Sequence, residues 1–403
     1  MKRCSRPGVC DITFGAITVK TSKMKHVITP FKTLAVSAVV LAGLASCEKG
    51  LPIKSNDKVF STAAFKKNLQ AALTGARGYQ FVITQNGQVA DTAEFGIATV
   101  GGTKSGLDLF INVASVTKTL TAATVVQYML QKDVTIDSKI GPWLPASWAV
   151  HDTIKKLSFK QLMTHTSGIR GSATEWSSLM TTAASPITAP QSNAYSNINY
   201  ALFRAILPKL HDSATFRQRE LALPPADFQV WMSQEYIRLV NLHVLSKAGI
   251  PTRGCAPVTG KMTMMMTEGP YRLIGSDFGD WSNKCGGGGW VLTTMEMSRV
   301  IVYLTHSDSI LSPEERALMD NNRLGWVARF PVTGGMAYGH DGALYVNRNK
   351  EEGLNGGDVG SQTLIIKLPA KVELALGINS IKDGWRDVYD IVAAAYNKSW
   401  INN

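Results

Sequence analysis

The sequence predicts an α/β fold of the α+β kind, in which one antiparallel sheet is built from both chain ends and flanked by helices. Two observations predict it. Strand patterns occur early and late in the 403 residues, whereas the middle, from about 157 to 300, is mostly helix and loop with frequent Gly, Pro and Ser breaks. The predicted strands cover residues 80–84, 88–95, 336–340, 363–368 and 372–378.

The elements of the first part each have a local signal. A helical pattern covers residues 62–76. The dipeptide Asn86-Gly87 joins the first two strands, and it is the strongest short hairpin signal. A second helix covers 116–132, and the loop before it delivers Ser115 to the start of that helix.

The later elements are predicted in the same way. A long helix, 226–247, lies in the segment 212–249, which we interpret as an insertion that shapes a pocket. Pro369-Ala370-Lys371 forms the turn between the last two strands, and an amphipathic helix, 385–396, closes the chain. No repeat of fixed period is found, which excludes solenoids and propellers.

Composition favours an ordinary globular protein, with 45% hydrophobic and 18% charged residues. The formal net charge of +12 suggests an anionic partner at first sight. Half of that excess, however, lies in residues 1–46, and the rest is spread along the chain without a block of Lys and Arg. We therefore expect no nucleic-acid partner.

The N-terminal segment has the pattern of an export signal. Lys32 precedes an apolar run, 34–45, that is too short to span a bilayer as a stable helix. The run ends in Leu44-Ala45-Ser46-Cys47, which resembles a bacterial lipoprotein signal in which the cysteine becomes the lipidated N-terminus. A plain secretory signal cut near Ala45 is the alternative. Both interpretations predict export, to the periplasm or to the outer membrane with Cys47 as the anchor.

This interpretation divides the chain. Residues 1–46 are the signal segment, within which Met24 is an alternative first residue of the protein. Residues 47–60 form a polar tether. A folded domain covers 61–403 and contains a helical subdomain at about 120–290. The membrane is then a partner through the lipid anchor only, and the oligomeric state stays open.

Export also changes the interpretation of the cysteines. Cys255 and Cys285 are the pair left in the folded domain, and an oxidising compartment could join them as a disulfide. Two free buried thiols are an equal alternative. The histidines are scattered, and no His-Glu-x-x-His pattern occurs, so we expect neither a metal nor another cofactor.

Ser115 and Lys118 carry the main chemical signal. Positions i and i+3 of a helix are neighbours, so the lysine amine can reach the serine oxygen and act as its base. The spacing alone is weak, because three Ser-x-x-Lys matches precede it at Ser22, Ser46 and Ser55. Context must therefore select Ser115.

Two further runs supply that context. Tyr195-Ser196-Asn197 places a phenol and an amide two residues apart, so both can enter one pocket from a loop or an extended backbone. Tyr338-Gly339-His340-Asp341-Gly342-Ala343 lies where a strand leaves a glycine-rich stretch, and there the backbone can approach a ligand closely. The Gly286–Gly289 run has no following Lys-Ser/Thr, so we interpret it as a structural turn rather than a phosphate loop.

In this order and with these gaps, the three runs resemble the serine β-lactamase and penicillin-recognising peptidase superfamily. The closest branch contains class C β-lactamases, D-alanyl-D-alanine carboxypeptidases and related esterases. The resemblance covers about residues 60–400 and includes 162–169, where it implies that His165 has a structural role rather than pairing with Ser167. It implies a β-lactamase/transpeptidase-like sheet with a mostly helical middle subdomain.

The resemblance also implies roles. Ser115 would be the acylated nucleophile, Lys118 the buried amine that shares its proton, and Tyr195 the second proton carrier. Whether Lys118 or the Tyr195 phenolate is the general base stays open. Asn197 would bind a substrate amide, and His340 and Gly342 would line the substrate site. The oxyanion hole would use the N–H groups of Ser115 and Ala343.

The chain departs from class C β-lactamases at the third run, where those enzymes have Lys-Thr-Gly and this chain has His340-Asp341-Gly342. A partly charged histidine beside an aspartate is a weaker anchor for a substrate carboxylate. We therefore expect an exported serine hydrolase that cleaves an ester, amide or peptide bond. The alternatives are a class C-type β-lactamase and, as a different class, a non-turning-over protein that binds penicillin or cell-wall peptides.

Overall fold

An antiparallel sheet lies at the centre of the fold, and both halves of the chain contribute strands to it. The computed structural model describes residues 58–269, 272–346, 359–381 and 387–402. The strand order is β3-β2-β11-β10, and β10 continues both to β9 and β8 and to the short β5 and β6. The strands are β1 Lys58–Phe60, β2 Gly78–Gln85, β3 Gln88–Gly96, β4 Phe110–Asn112, β5 Met265–Thr267, β6 Gly275–Ser276, β7 Val291–Thr293, β8 Ala328–Val332, β9 Gly335–Val346, β10 Val359–Leu368, β11 Val372–Ile378 and β12 Trp400–Asn402.

Helices occupy most of the chain between β3 and β8. The predicted α+β class is confirmed, and the elements fall close to the predicted ranges. The helices are α1 Thr62–Ala72, α2 Thr117–Gln131, α3 Asp152–Lys155, α4 Phe159–Met163, α5 Trp176–Ala184, α6 Asn197–Ala201, α7 Phe203–His211, α8 Ser213–Ala222, α9 Pro225–Val240, α10 Thr294–His306, α11 Pro313–Asn321 and α12 Val388–Asn397.

Two hairpins of the sheet turn through non-glycine residues with positive φ. Asn86 and Gly87 have φ of 53° and 76°, as their dipeptide predicts for a tight turn between β2 and β3. Ala370 and Lys371 also have positive φ, of 59° and 54°, between β10 and β11. Neither has the freedom of glycine, so the pairing of the two flanking strands holds this turn in place.

The sheet separates two apolar cores. Side chains alternate along β10, because Leu364 and Ile366 belong to the core beneath α1 and α12, whereas Ile365 belongs to the opposite core. Both faces of β10 are therefore covered. This explains why the strand is buried almost throughout and why its residues 364–366 form a continuous apolar run.

Helix α2 lies within the larger core and is buried along most of its length. Its buried threonines are satisfied by neighbouring segments: Thr119 donates to the carbonyl of Gly325 at 2.9 Å, and Thr121 donates to the carbonyl of Gly286 at 2.9 Å. These bonds fix α2 relative to two loops. The start of α2 is consequently a rigid place for a reactive side chain.

Several predictions concern residues outside the described ranges. The signal segment 1–46, the lipidation site Cys47 and the tether up to residue 57 belong to this group, as does the predicted start of the last helix at 385. Among the residues that are described, no helix has the length and apolar character needed to cross a membrane.

Candidate active site

Ser115 lies on a turn between β4 and α2. The turn is a short 3-10 helix, Ala114–Val116, and Ala114 has a φ of 47°, which is strained for a residue with a Cβ atom. Two side chains hold this conformation: Asn112 Oδ1 accepts from the N–H of Ala114 at 2.9 Å, and Thr363 donates to the carbonyl of Val113 at 2.8 Å. These two hydrogen bonds thus hold the strained turn that positions Ser115.

Lys118 follows one turn later and is completely buried. Its Nζ lies 2.9 Å from Ser115 Oγ and 2.8 Å from Asn197 Oδ1, and it also donates to the carbonyl of Gly287. Burial lowers the pKa of Lys118 from 10.5 to about 7, and the negative charge of Asp341 only partly opposes this. The predicted Ser-Lys pair is therefore in contact, with an amine that titrates near neutral pH.

The three contacts of Lys118 bear on the direction of proton transfer. The Gly287 carbonyl and Asn197 Oδ1 can only accept hydrogen bonds. A neutral amine has two N–H groups for these acceptors, which leaves its lone pair for the Ser115 hydroxyl. In that state Lys118 can accept the proton of Ser115, so the arrangement is suited to general base catalysis.

Tyr195 lies beside this pair, with Lys118 Nζ 4.7 Å from the centroid of its ring. Tyr195 is 46% exposed, yet its hydroxyl lies among the buried groups of the site. Desolvation of that hydroxyl raises the pKa of Tyr195, and contact with Ser115 lowers it by less. The phenol is protonated at neutral pH, so it can donate a proton, and Lys118 is the better base of the two.

The third run lies on β9. His340 is buried, and its Nδ1 is 2.6 Å from the carbonyl of Asp341. Burial and the nearby Lys118 keep the pKa of His340 well below 6.5, so this imidazole is neutral at pH 7. Our expectation of a partly charged histidine is wrong, because the side chain is desolvated and faces a cation.

Tyr389 is a site residue that sequence reasoning missed. Its hydroxyl donates to Asp341 Oδ1 at 3.0 Å and accepts from the N–H of Asp341 at 2.6 Å. Burial raises the pKa of Asp341, and the bond from Tyr389 lowers it by less. The tyrosine lies on α12, far from Asp341 in sequence, so no local pattern could have indicated this pair.

Gly342 is placed where the strand passes the serine turn. A Cβ atom at this position would lie 2.4 Å from the carbonyl oxygen of Val113, 2.5 Å from Thr363 Oγ1 and 2.9 Å from the Cβ of Ala114. The close backbone approach predicted from this glycine is therefore present. It brings β9 directly against the turn that carries Ser115.

We expect Gly342→Ala to push β9 away from that turn and to lower both stability and acylation. Overpacking of this kind costs about 1–3 kcal/mol. Chemical denaturation and the rate of Ser115 acylation measure the two effects. Gly254→Ala is the control, because nothing lies within 4 Å of its added Cβ; equal behaviour of the two variants would contradict the packing argument.

Two clefts meet at the site. The reaction cleft has a volume of about 130 Å³ and contains Ser115, Asn197 and Ala343 in its walls. Ser115 and Ala343, the two residues of the predicted oxyanion hole, thus line the same cleft. The second cleft, of about 250 Å³, is lined by Tyr195 and His340. Because the Tyr195 hydroxyl contacts Ser115, the second cleft adjoins the reaction cleft at this pair.

The segment 212–249 does not reach either cleft, since none of its residues lines them. Our interpretation of it as a pocket-shaping insertion is wrong. It forms α8, α9 and a π-helical turn, Asn241–Leu245, and packs on the core side: Tyr236 bonds to Thr121 at 2.8 Å beneath α2. Its amphipathic pattern results from burial against α7. A helix that faces a ligand would show the same pattern, so the sequence did not distinguish the two cases.

His165 lies next to Tyr195, with ring centroids 4.3 Å apart. Its Nδ1 accepts from the N–H of Ser196 at 3.2 Å, and burial lowers its pKa to about 3. Ser167 donates instead to Asn199 at 2.6 Å. The two residues therefore do not pair, and the neutral imidazole supports the backbone that leads to Tyr195 and Asn197.

The Gly286–Gly289 run has a larger role than the predicted structural turn. The carbonyl of Gly287 accepts from Lys118, and a Cβ atom at Gly287 would lie 2.8 Å from the carbonyl oxygen of Asn197. Lack of a side chain therefore lets this wall approach the second motif closely. The glycine run lacks the ending of a phosphate loop, and nothing else in its sequence indicated these contacts with Lys118 and Asn197.

Cys255 and Cys285 are free thiols, not a disulfide. Both are completely buried, and they lie in hydrogen-bond contact with each other. Burial raises the pKa of Cys255 well above 9, which disfavours the thiolate that disulfide formation needs. Within the described residues, no group of His, Cys, Asp or Glu side chains could hold a metal ion.

A protein-family model for beta-lactamases matches residues 65–390. The chain belongs to the beta-lactamase family. No curated protein matches this beta-lactamase family chain. The predicted superfamily is thereby confirmed, and the match extends from α1 into α12.

Solved structures share the fold of this beta-lactamase family protein. The octameric penicillin-binding protein homologue from Pyrococcus abyssi has a TM-score of 0.61 at 15% identity, covering 82% of this chain and 76% of its own. D-amino acid amidase from Ochrobactrum anthropi has a TM-score of 0.61 at 15% identity, covering 84% and 96%. EstCE1, a hydrolase with promiscuous acyltransferase activity, has a TM-score of 0.58 at 15% identity, covering 83% and 99%. At these identities the likeness shows the fold alone.

Proposed function

We propose that this protein is a serine hydrolase that works through an acyl-enzyme on Ser115. The contact between Ser115 Oγ and the buried amine of Lys118 carries the proposal, since the amine is oriented by two acceptors and titrates near neutral pH. Membership of the beta-lactamase family supports a serine hydrolase in general. The type of bond and the substrate belong to the proposal.

The reaction follows from the geometry. Neutral Lys118 takes the proton of Ser115 while the oxygen attacks a carbonyl in the reaction cleft, and the N–H groups of Ser115 and Ala343 stabilise the oxyanion. The Tyr195 phenol passes its proton to the leaving group and regains one from the Lys118 ammonium ion beside it, which returns both groups to their starting state. In the second half of the reaction, Lys118 accepts a proton from the attacking water by way of Tyr195 and returns it to Ser115 Oγ as the acyl group leaves. The free amide N–H groups of Asn197 bind the substrate, since its oxygen is held by Lys118.

We propose an ester, amide or peptide substrate rather than a β-lactam. The third motif supplies a buried neutral imidazole, His340, where class C β-lactamases place a lysine cation. Arg323 lies at the exposed side of the second cleft, where it donates to the carbonyl of Val327 at 2.9 Å, so it offers a substrate carboxylate a solvated cation instead of a buried one. The amidase and hydrolase named above, which share the fold, are in line with acyl transfer to water.

A substrate panel tests this function. Purified residues 48–403 are assayed with aryl esters, D-amino acid amides, D-alanyl peptides and a chromogenic cephalosporin, each beside the Ser115→Ala variant. Turnover of an ester, amide or peptide that disappears in the variant supports the proposal. Cephalosporin turnover at the rate of a dedicated β-lactamase would assign the class C-type activity. Stoichiometric acylation without turnover on any substrate would assign the penicillin- or peptide-binding alternative.

We also propose that the protein is exported as a lipoprotein anchored at Cys47, on the signal pattern that ends in Leu44-Ala45-Ser46-Cys47. We expect Cys47→Ser in the full chain to release the protein from membranes, because one lipid-bearing residue is the whole anchor. Fractionation of cells that express each form measures this. Cys255→Ser is the matched control, since that thiol is buried in the folded domain. Membrane retention of the Cys47 variant would contradict the anchor.

A further inference from the structure

Arg204 is a completely buried arginine beneath the reaction cleft. It lies on α7, and its guanidinium donates to the carbonyl of Cys285 at 3.1 Å and to the carbonyl of Thr174 at 2.6 Å. The Cζ atom of the guanidinium lies 4.3 Å from the ring centroid of Trp176. In the described part of the chain it forms no ion pair with a carboxylate, and its Nε has no hydrogen-bond partner.

A buried cation without a direct ion pair is costly to fold around, and the carboxylate of Glu175 acts on Arg204 only as a minor, longer-range influence. Desolvation lowers the pKa of Arg204 to about 10, so the guanidinium is still charged at neutral pH. A methionine or leucine would fill similar space without this desolvation penalty. What an apolar side chain cannot do is donate to two carbonyls from one rigid plane, which is the special property of arginine.

The two carbonyls belong to two separate segments that contribute to the reaction cleft. Thr174 forms one wall, and Cys285 directly precedes the Gly286–Gly289 segment, whose Gly287 and Gly288 also line the cleft. The carbonyl of Gly287 is an acceptor of Lys118, and that of Gly286 accepts from Thr121 at 2.9 Å. Glycine-rich backbone has little stiffness of its own, so its position depends on such external bonds.

We propose that Arg204 is a positioning residue of the reaction: it ties the glycine segment to the Thr174 wall and so holds the Gly287 carbonyl that orients Lys118 toward Ser115. This inference deepens the proposed function and rests on it. Arg204 touches neither the substrate site nor Ser115, so it acts through the backbone that it binds.

Loss of the tether has a specific consequence for Lys118. When the glycine segment is released, its carbonyl leaves the amine and water reaches Nζ. Desolvation is the main cause of the low pKa of Lys118, so hydration moves that pKa back toward 10.5. The neutral, reactive amine then forms only at higher pH. A general loss of stability would not change this pKa in the molecules that stay folded.

The test uses Arg204→Lys, which retains the charge but reaches one carbonyl at a time, and Arg204→Met, which removes both bonds. Arg316→Lys is the matched control, because Arg316 also donates to two carbonyls, those of Ser307 and Leu311, outside both clefts. The second-order rate constant for labelling by a fluorophosphonate probe is measured from acid to alkaline pH. Each rate is normalised to the folded fraction from circular dichroism.

We expect the midpoint of the acid limb to move up by about one pH unit in the Arg204 variants, with a fall of about tenfold in labelling below that midpoint. The control keeps the native midpoint. Native midpoints and rates in folded Arg204→Lys and Arg204→Met would overturn the positioning role while leaving the proposed function intact. Arg204→Lys covers the case in which the methionine variant does not fold. Absence of Ser115-dependent labelling in the native protein would instead contradict the proposed function itself.

Discussion

Ser115→Ala is expected to abolish covalent labelling by a fluorophosphonate probe and all turnover of the proposed substrates. The substitution removes the one oxygen that Lys118 can activate from 2.9 Å, and the remaining acceptors of the lysine, Asn197 Oδ1 and the Gly287 carbonyl, are not nucleophiles. We expect labelling to fall below detection by intact mass. The fold should persist, because Ser115 forms no side-chain cap with α2, and the loss of free energy of unfolding should be less than about 2 kcal/mol.

Ser172→Ala is the matched control for this variant. Ser172 lines the same reaction cleft, so its hydroxyl meets the same probe, but within the described residues no lysine forms a hydrogen bond with it. We expect it to label like the native protein. Label that remains on folded Ser115→Ala and maps to another residue would contradict Ser115 as the nucleophile. Loss of label in both variants would point to a disturbed cleft rather than to a missing nucleophile.

The sequence was a good guide where local pattern decides the structure. The dipeptide Asn86-Gly87 predicted its hairpin because few backbone conformations join two twisted strands so tightly. The Ser115-Lys118 contact was predictable too, since the helical spacing alone brings i and i+3 together. Both features depend on residues that are close in the chain, and no tertiary contact is needed to specify them.

The sequence was a poor guide where burial and long-range contacts decide the chemistry. His340 looked partly charged from its type, but its desolvation and its distance from Lys118 depend on how β9 packs. Tyr389 reaches Asp341 from a helix that follows 48 residues later, and Arg204 reaches two carbonyls that are distant in sequence. No spacing rule relates such residues, because the fold and not the chain order brings them together.

The segment 212–249 also shows what a local pattern cannot predict. Its helical pattern correctly predicted a long helix, which is α9 followed by the turn Asn241–Leu245. Periodicity, however, reports that one face is buried and not what covers that face. Here the cover is the protein core, where Tyr236 bonds to Thr121, and the two clefts lie elsewhere.

The second large effect is expected for Lys118→Met. Methionine retains the length and apolar stem of the buried side chain and removes the amine that takes the proton of Ser115. General base catalysis contributes about 10²–10⁴-fold, so we expect acylation at neutral pH to slow by that factor. The rate of probe labelling, normalised to folded protein, measures the loss. Lys66→Met is the control, because that lysine pairs with Asp91 at 2.8 Å outside both clefts.

The pH profile makes this prediction specific to Lys118. In the native protein, acylation should rise with pH through a midpoint near 7, because the neutral amine is the reactive form and its pKa is about 7. The two histidines and the tyrosine beside the reaction centre do not account for such a midpoint: burial places the pKa of His165 at about 3, keeps that of His340 well below 6.5 and raises that of Tyr195 above 10. The rise of the acylation rate through pH 7 should therefore disappear in Lys118→Met. A midpoint near 7 that persists in this variant would assign the base to a group other than Lys118, and the orientation of its amine by Asn197 and Gly287 would then serve substrate binding instead of proton transfer.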